Sequence, residues 1–159
     1  MKNIVLTRID DRLIHGQVIT AWIKRYCITQ ILIIDDELAA SRLMQRIYTA
    51  AAPIGVGINI KSVRDAVNFL HEKTAQDEKY LVLVKVPDII EAMLDNDIEI
   101  EKVILGAMGA KKSRKPFNRN VYANSEEVES FQRIIGRGVE VFYQLLPNDK
   151  AVAIMNVLR

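Results

Sequence analysis

Arg8-Ile-Asp-Asp-Arg-Leu-Ile-His-Gly-Gln17 crowds two guanidinium groups, two carboxylates and an imidazole into ten residues. Upstream, Ile4-Val5-Leu6 is a short apolar run suited to a buried strand. Downstream, Val18, Trp22 and Tyr26 recur every four residues with Ile19 and Ile23 beside them, which is helical spacing. The crowded segment therefore falls where a strand gives way to a helix. In open α/β folds anions bind at such a junction, because the first helical amides lack internal acceptors and the helix dipole favours negative charge.

The alternation continues outward from this stretch. Ile31 to Ile34 reads as a second strand, closed by Asp35, Asp36 and Glu37, which suit a helix cap and first turn. The next helix places Ala40, Leu43, Met44, Ile47 and Ala51 on one face and ends before Pro53 and Gly55. Val56, Ile58 and Ile60 alternate as a third strand, and Ser62 with Asp65 opens a helix carrying Val63, Ala66, Val67 and Leu70 inward. Tyr80 to Val86 is an apolar fourth strand. Pro87 suits the first position of the helix bearing Ile89, Ile90, Met93 and Leu94. Val103 to Leu105 is a fifth strand, Gly106 to Asn118 a long exposed loop, and Asn120 to Ala123 a sixth strand. Asn124 with Glu127 caps a helix carrying Val128, Phe131, Ile134 and Ile135, stopped by Gly136 and Gly138. Val139, Val141, Tyr143 and Leu145 alternate as a seventh strand. Asn148-Asp149 begins a terminal helix with Ala151, Ile154, Met155 and Leu158 inward.

Short strands alternating with helices of about ten residues predict an α/β fold. The expected architecture is a single open, mostly parallel sheet of about seven strands with helices on both faces and the active loop after strand 1. Right-handed crossovers bring the carboxyl ends of the strands to one edge. No linker or repeat interrupts the pattern, so residues 1–159 are expected to form one domain.

The charges, 22 basic against 20 acidic for a net +2, are interleaved and leave no nucleic-acid footprint. Half the residues are hydrophobic, yet no uninterrupted apolar run approaches the ~20 residues that span a bilayer. A strand begins almost at the N-terminus, with no room for a signal peptide, so a cytoplasmic location is expected. A single cysteine, Cys27, excludes an intramolecular disulfide and is expected to be a half-buried structural thiol. With only His15 and His71, no ordinary zinc ligand set is available. Trp22 lies on the apolar face of its helix and belongs to the core, and His71 belongs to the surface.

The residues of the first motif leave two readings open. Arg8 and Arg12 offer fork-shaped donors matched to phosphate oxygens. Asp10 or Asp11 could accept from one imidazole nitrogen of His15, fixing the tautomer and freeing the other nitrogen to attack. The bland alternative is a solvated cluster of ion pairs worth little to stability. Gly106-Ala-Met-Gly109 reads as a plain turn or as a close backbone approach to the site; it has neither the P-loop lysine nor the three-glycine fingerprint. Lys111-Lys-Ser-Arg-Lys115 with Arg119 reads as a solvated loop by default, and alternatively as a docking rim for an acidic partner.

Arg8 to Val18, with Trp22 four residues later, resembles the active-site signature of IIB subunits of the mannose–fructose–sorbose family. These belong to the bacterial, phosphoenolpyruvate-dependent sugar phosphotransferase system. The resemblance extends through Asp36-Glu37, Ala52-Pro53-Ile-Gly55, Gly136-Arg-Gly-Val139 and Pro147-Asn-Asp149. It implies a phosphocarrier in which His15 accepts a phosphoryl group from a phosphohistidine of the IIA partner, through Nδ1 in relatives. His15 then passes it to a hydroxyl of a sugar held by the membrane subunits IIC and IID. Arg8 and Arg12 would clamp the phosphate and Asp10 would orient the site; Asp11 is in the motif with a less defined role. No cofactor and no metal are implied, and the location is cytoplasmic, peripheral to the membrane through those subunits. The alternative is a regulatory domain that binds a phosphorylated ligand or partner without covalent transfer. The chain departs from many relatives in reading Asp35-Asp36 for Asn-Asp, and Leu105-Gly-Ala-Met-Gly109 for Asn-Val-Gly-Gly-Met.

Overall fold

Among the described residues seven strands form one sheet, and every pairing in it is parallel except that of one edge strand. The computed structural model describes residues 1–154. Along the chain the elements are β1 (Ile4–Ile9), α1 (Gly16–Tyr26), β2 (Gln30–Ile34), α2 (Asp36–Ala39), α3 (Arg42–Ala50), β3 (Gly57–Lys61), α4 (Val63–His71) and β4 (Tyr80–Val84). There follow α5 (Pro87–Asp95), β5 (Lys102–Leu105), β6 (Lys115–Asn118), β7 (Val121–Ala123), α6 (Ser125–Gly136), β8 (Glu140–Tyr143) and β9 (Val152–Ala153). The strand order in the sheet is β3-β2-β4-β1-β5-β8-β9, with β9 the antiparallel edge, and the expected fold class holds: an open, mostly parallel sheet with helices on both faces.

Strand periodicity divides the core in two. Tyr80, Val82 and Val84 of β4 join Leu32, Val103, Leu105 and Val141 under α4, α5 and α6, where Ala66, Leu70, Met93, Phe131 and Ile134 pack. Leu81 and Leu83 point the other way, with Ile31, Ile33 and Ile104, to meet Ile19, Trp22 and Leu38 of α1 and α2. Because β4 has helices on both faces it carries a continuous run of buried apolar residues. Each such side chain taken from water stabilises the fold by about 1.5–3 kcal/mol before chain entropy is counted.

This layering opens the site. β1 lies between β4 and β5. The chain leaving β1 enters α1 on one face, whereas β4 and β5 lead to α5 and α6 on the other. The connections part at the carboxyl end of β1, which is where open α/β sheets form a crevice.

Five local expectations need correction. The helix after β2 is split: Asp35 caps the four-residue α2, and Ser41 caps a new helix, α3. On α3 the packed residues are Met44 and Tyr48, while Leu43 and Ile47 are 67% and 50% exposed. Both lines satisfy helical spacing, and α3 covers the flank of the edge strand β3, which is too narrow to bury both. The segment Gly106 to Asn118 is not all loop, since β6 pairs with β7 as a two-stranded antiparallel ribbon outside the main sheet. Lastly, Val152–Ala153 is not helical but pairs antiparallel with Phe142 and Tyr143. Ile154 does reach the core, and the expected inward residues Met155 and Leu158 lie outside the described residues. Cys27 is exposed rather than half-buried, in the left-handed conformation that ends α1.

Candidate active site

The parity of β1 decides what each motif residue does. Leu6, Arg8 and Asp10 alternate with Ile9, so Arg8 faces inward toward α1, over the Trp22 ring at 5.3 Å. Its side chain is 0% exposed. Nη1 donates to the carbonyl of Gln144 at 2.8 Å, and Nη2 to that of Leu145 at 3.2 Å and to Asp10 Oδ2 at 3.3 Å. The Trp22 indole donates to the same Leu145 carbonyl at 2.8 Å. Nε has no partner among the described residues. Burial lowers the Arg8 pKa from its ordinary value, against the opposing pull of Asp10. The fold thus turns Arg8, expected from the resemblance to clamp phosphate, toward the interior of the protein. Its fork is spent on two backbone carbonyls and a carboxylate behind the site.

Asp10, also fully buried, is the hub. Oδ2 lies 3.3 Å from Arg8 Nη2, 3.0 Å from Arg12 Nη2 and 3.1 Å from His15 Nε2. Oδ1 accepts from the Arg12 backbone amide and from Arg12 Nε, each at 3.1 Å. Burial alone would raise the Asp10 pKa, but hydrogen bonds from His15 and Arg12 and the charge of Arg8 outweigh it and hold it at about 2. A carboxylate surrounded by donors this way stays ionised and rigid.

From Asp10 the loop turns sharply: the Leu13 amide donates to the Asp10 carbonyl, and Leu13 adopts a φ of 55° with its side chain buried. A non-glycine residue there costs on the order of 1–3 kcal/mol, offset by the apolar burial. The turn delivers His15 to the position just before α1 with its side chain 19% exposed. Nε2 faces Asp10, whereas Nδ1 has no partner among the described residues and is open to solvent. The unsatisfied first amides of α1 follow directly. Arg12 is 43% exposed, and its bond to Asp10 raises its pKa.

Arg12, Asp10 and His15 thus come together; Asp11 does not join them. Its Oδ2 accepts from the Gly109 amide at 2.6 Å and its own amide donates to the Ala107 carbonyl at 3.0 Å. The close-approach reading of the glycine turn applies at Gly106, where an added Cβ would collide with Arg8 Nη2 and Asp10 Oδ2. Three residues of the site are not marked by the sequence. Arg114, placed there in an exposed basic loop, is buried and holds Glu127 with two bonds at 2.9 and 2.8 Å. The carbonyls of Gln144 and Leu145 are the other omission, and being backbone they carry no side-chain signature.

Fold and site place the chain among open parallel α/β proteins that work at the carboxyl edge of the sheet. Over residues 4–159 the sequence matches the family described as the PTS system sorbose subfamily IIB component, and the chain belongs to that family. It is 28% identical over 159 residues to the fructose-specific EIIB component of Bacillus subtilis, covering 100% of this chain and 98% of that one. Against the mannose-specific EIIAB component of Escherichia coli K12 the identity is also 28%, over 96% of this chain but only 47% of that longer protein. The crystal structure of the IIBSor domain of the Klebsiella pneumoniae sorbose permease superposes with a TM-score of 0.93 at 29% identity, covering 98% and 96% of the two chains. IIB components of this system are phosphotransferases, and membership supports a phosphocarrier role in sugar uptake. No helix among the described residues is long and apolar enough to cross a membrane.

Proposed function

We propose that residues 1–159 form a single phosphocarrier domain in which His15 carries the phosphoryl group. One observation carries this reading: the imidazole is held through Nε2 by a buried carboxylate, while Nδ1, at the head of α1, has no partner among the described residues. With Nε2 protonated toward Asp10, the Nδ1 lone pair is free to attack phosphorus in line. The Nδ1–P bond forms as the P–N bond of a phosphohistidine on a IIA protein breaks, and that bond's electrons return to the donor imidazole. Arg12 is the direct cation for the equatorial oxygens, joined by the first amides of α1. Asp10 balances the positive charge that builds on the ring. Arg8 acts through Asp10 and belongs to the machinery as a positioning residue.

In the second half-reaction a sugar hydroxyl attacks the same phosphorus, the Nδ1–P bond breaks, and the hydroxyl proton passes to the receiving site. The acceptor is a sugar presented by membrane IIC and IID subunits, which would hold this domain at the cytoplasmic face of the membrane. The fusion of a IIA with a IIB component in the E. coli mannose protein supports IIA as the donor.

The test is acid-labile labelling from phosphoenolpyruvate through the upstream carriers and a IIA protein. Wild type gains a phosphohistidine with a phosphorus resonance of the Nδ1 type, and His15→Ala gains none while keeping its circular dichroism spectrum. Full labelling of His15→Ala refutes the assignment. Saturable binding of a phosphorylated ligand by His15→Ala, with no covalent label in wild type, would replace it with the ligand-binding alternative.

A further inference from the structure

The loop from Asp10 to His15 is anchored on its inner side through Asp10. The structure shows a second anchor on its outer side that the phosphocarrier chemistry does not itself require. Asp11 Oδ2 accepts from the Gly109 amide at 2.6 Å and lies 3.6 Å from Arg114 Nη1. That Nη1 donates to the Gly109 carbonyl at 2.9 Å, while Nε and Nη2 grip the two carboxylate oxygens of Glu127. Glu127 is the third residue of α6 and closes its capping box with Asn124. A continuous polar strut therefore runs from the first turn of α6, through Glu127 and Arg114, to Gly109 and the active loop.

Its chemistry is informative. The Arg114 side chain is 2% exposed although Lys111, Lys112 and Lys115 around it are all exposed. Every nitrogen of its guanidinium has a partner, so it has no face to offer a phosphate. Ion pairs at such depth contribute little net stability, because desolvation offsets their attraction. They do fix geometry, since breaking one side leaves a charge unpaired. What this one fixes is the outer wall of the turn in which Leu13 is held left-handed and from which Arg12 and His15 project.

We propose that Arg114 is a positioning residue for phosphoryl transfer, holding Asp11 and so the Arg12–His15 turn at the distance the in-line geometry demands. The inference rests on His15 as the carrier. Small displacements of a reacting group cost about ten- to a hundred-fold in rate. Arg114→Lys keeps the charge but cannot fork on Glu127 while reaching Gly109. Asp11→Asn keeps an acceptor for the Gly109 amide but removes the charge facing Arg114.

The experiment measures single-turnover labelling of His15 by two donors, a phosphorylated IIA protein and the small reagent phosphoramidate, which needs no docking. Hydrogen exchange over residues 11–16 is followed in parallel. Both variants are expected to lose about ten-fold or more in rate constant with either donor, with the KM for the IIA donor unchanged and exchange in the loop accelerated. The double variant is expected to be no slower than the slower single. Glu91→Gln, which breaks the Arg133 clasp between α5 and α6, controls for lost stability and leaves the rate intact. A lower melting temperature with unchanged rate constants overturns the proposal in favour of a purely structural clasp. A raised KM with normal phosphoramidate labelling overturns it in favour of docking. Should Arg114→Lys fail to fold, Asp11→Asn, on a partly exposed side chain, decides alone. Labelling that survives His15→Ala is a separate failure, of the carrier assignment itself, and takes this proposal with it.

Discussion

Replacing Asp10 by Asn tests the buried hub through its proton rather than through activity. In the folded chain the Asp10 pKa is held at about 2, against an ordinary 3.8, because the donors of His15, Arg12 and Arg8 outweigh its burial. The unfolded chain therefore takes up this proton first as the pH falls, and its uptake favours unfolding. A difference of this size is worth about 2.4 kcal/mol of stability, fully present above about pH 5, roughly half gone by about pH 3, and nearly all gone by about pH 2. The Asn variant has no proton to bind at this position and lacks that term. It also leaves the Arg8 guanidinium buried without its counter-charge, which costs on the order of 3–5 kcal/mol at neutral pH. The assay is urea unfolding of both proteins at about pH 7, 5, 4 and 3, read by the fluorescence of Trp22, the single tryptophan, which packs under Arg8. Titrations of groups far from Asp10 cancel in the difference. Wild type should lose about 1 kcal/mol of its advantage between about pH 5 and pH 3. A stability gap that stays constant down to pH 3 would refute the hub, since Asp10 would then titrate alike in folded and unfolded chains.

Arg8→Met removes the donors to Gln144 and Leu145 and one cation from Asp10. It should cost about 3–5 kcal/mol in urea unfolding and speed amide exchange over residues 144–149. A variant of full stability that had lost only labelling would restore Arg8 as a direct phosphate clamp. Asn124→Ala deletes the cap of α6, which accepts from Glu127 at 2.8 Å; about 1 kcal/mol should disappear from the unfolding free energy. Cys27 ends α1 with a φ of 52°, so Cys27→Gly should be neutral or more stable by up to about 1 kcal/mol by thermal unfolding. A clear loss would show that the thiol makes a contact that its exposure does not suggest.

What could be read in the chain was what neighbours in sequence determine. The passage from Ile4 to Tyr26 contains its own strand, turn and helix periods, and Asn124 with Glu127 is a cap written in four residues. Where two faces fit one period, tertiary packing chose: α3 buries the line of Met44 and Tyr48 and leaves Leu43 and Ile47 outside. The short β9 was misread because Ala151 and Ile154 suit a helix as well as they suit an edge strand, and only the pairing with Tyr143 decides. Arg8 is the instructive case. An arginine near a histidine in sequence has the same letters whether it faces solvent or core. The signal that could have separated the two was strand parity, which puts Arg8 on the same face as the buried Leu6. Its burial was thus legible in part, but two of its three partners were not, since the carbonyls of Gln144 and Leu145 belong to the backbone more than a hundred residues away. Arg114 was hidden for a related reason. Amid Lys111, Lys112 and Lys115 nothing local marks it as the one cation turned inward, and its carboxylate lies on another element. The nucleophile of the proposed reaction and the carboxylate that holds its ring are therefore visible in sequence, whereas the groups that fix Asp10 and Asp11 from behind, the carbonyls gripping Arg8 and the Arg114–Glu127 pair, are long-range and appear only with the fold.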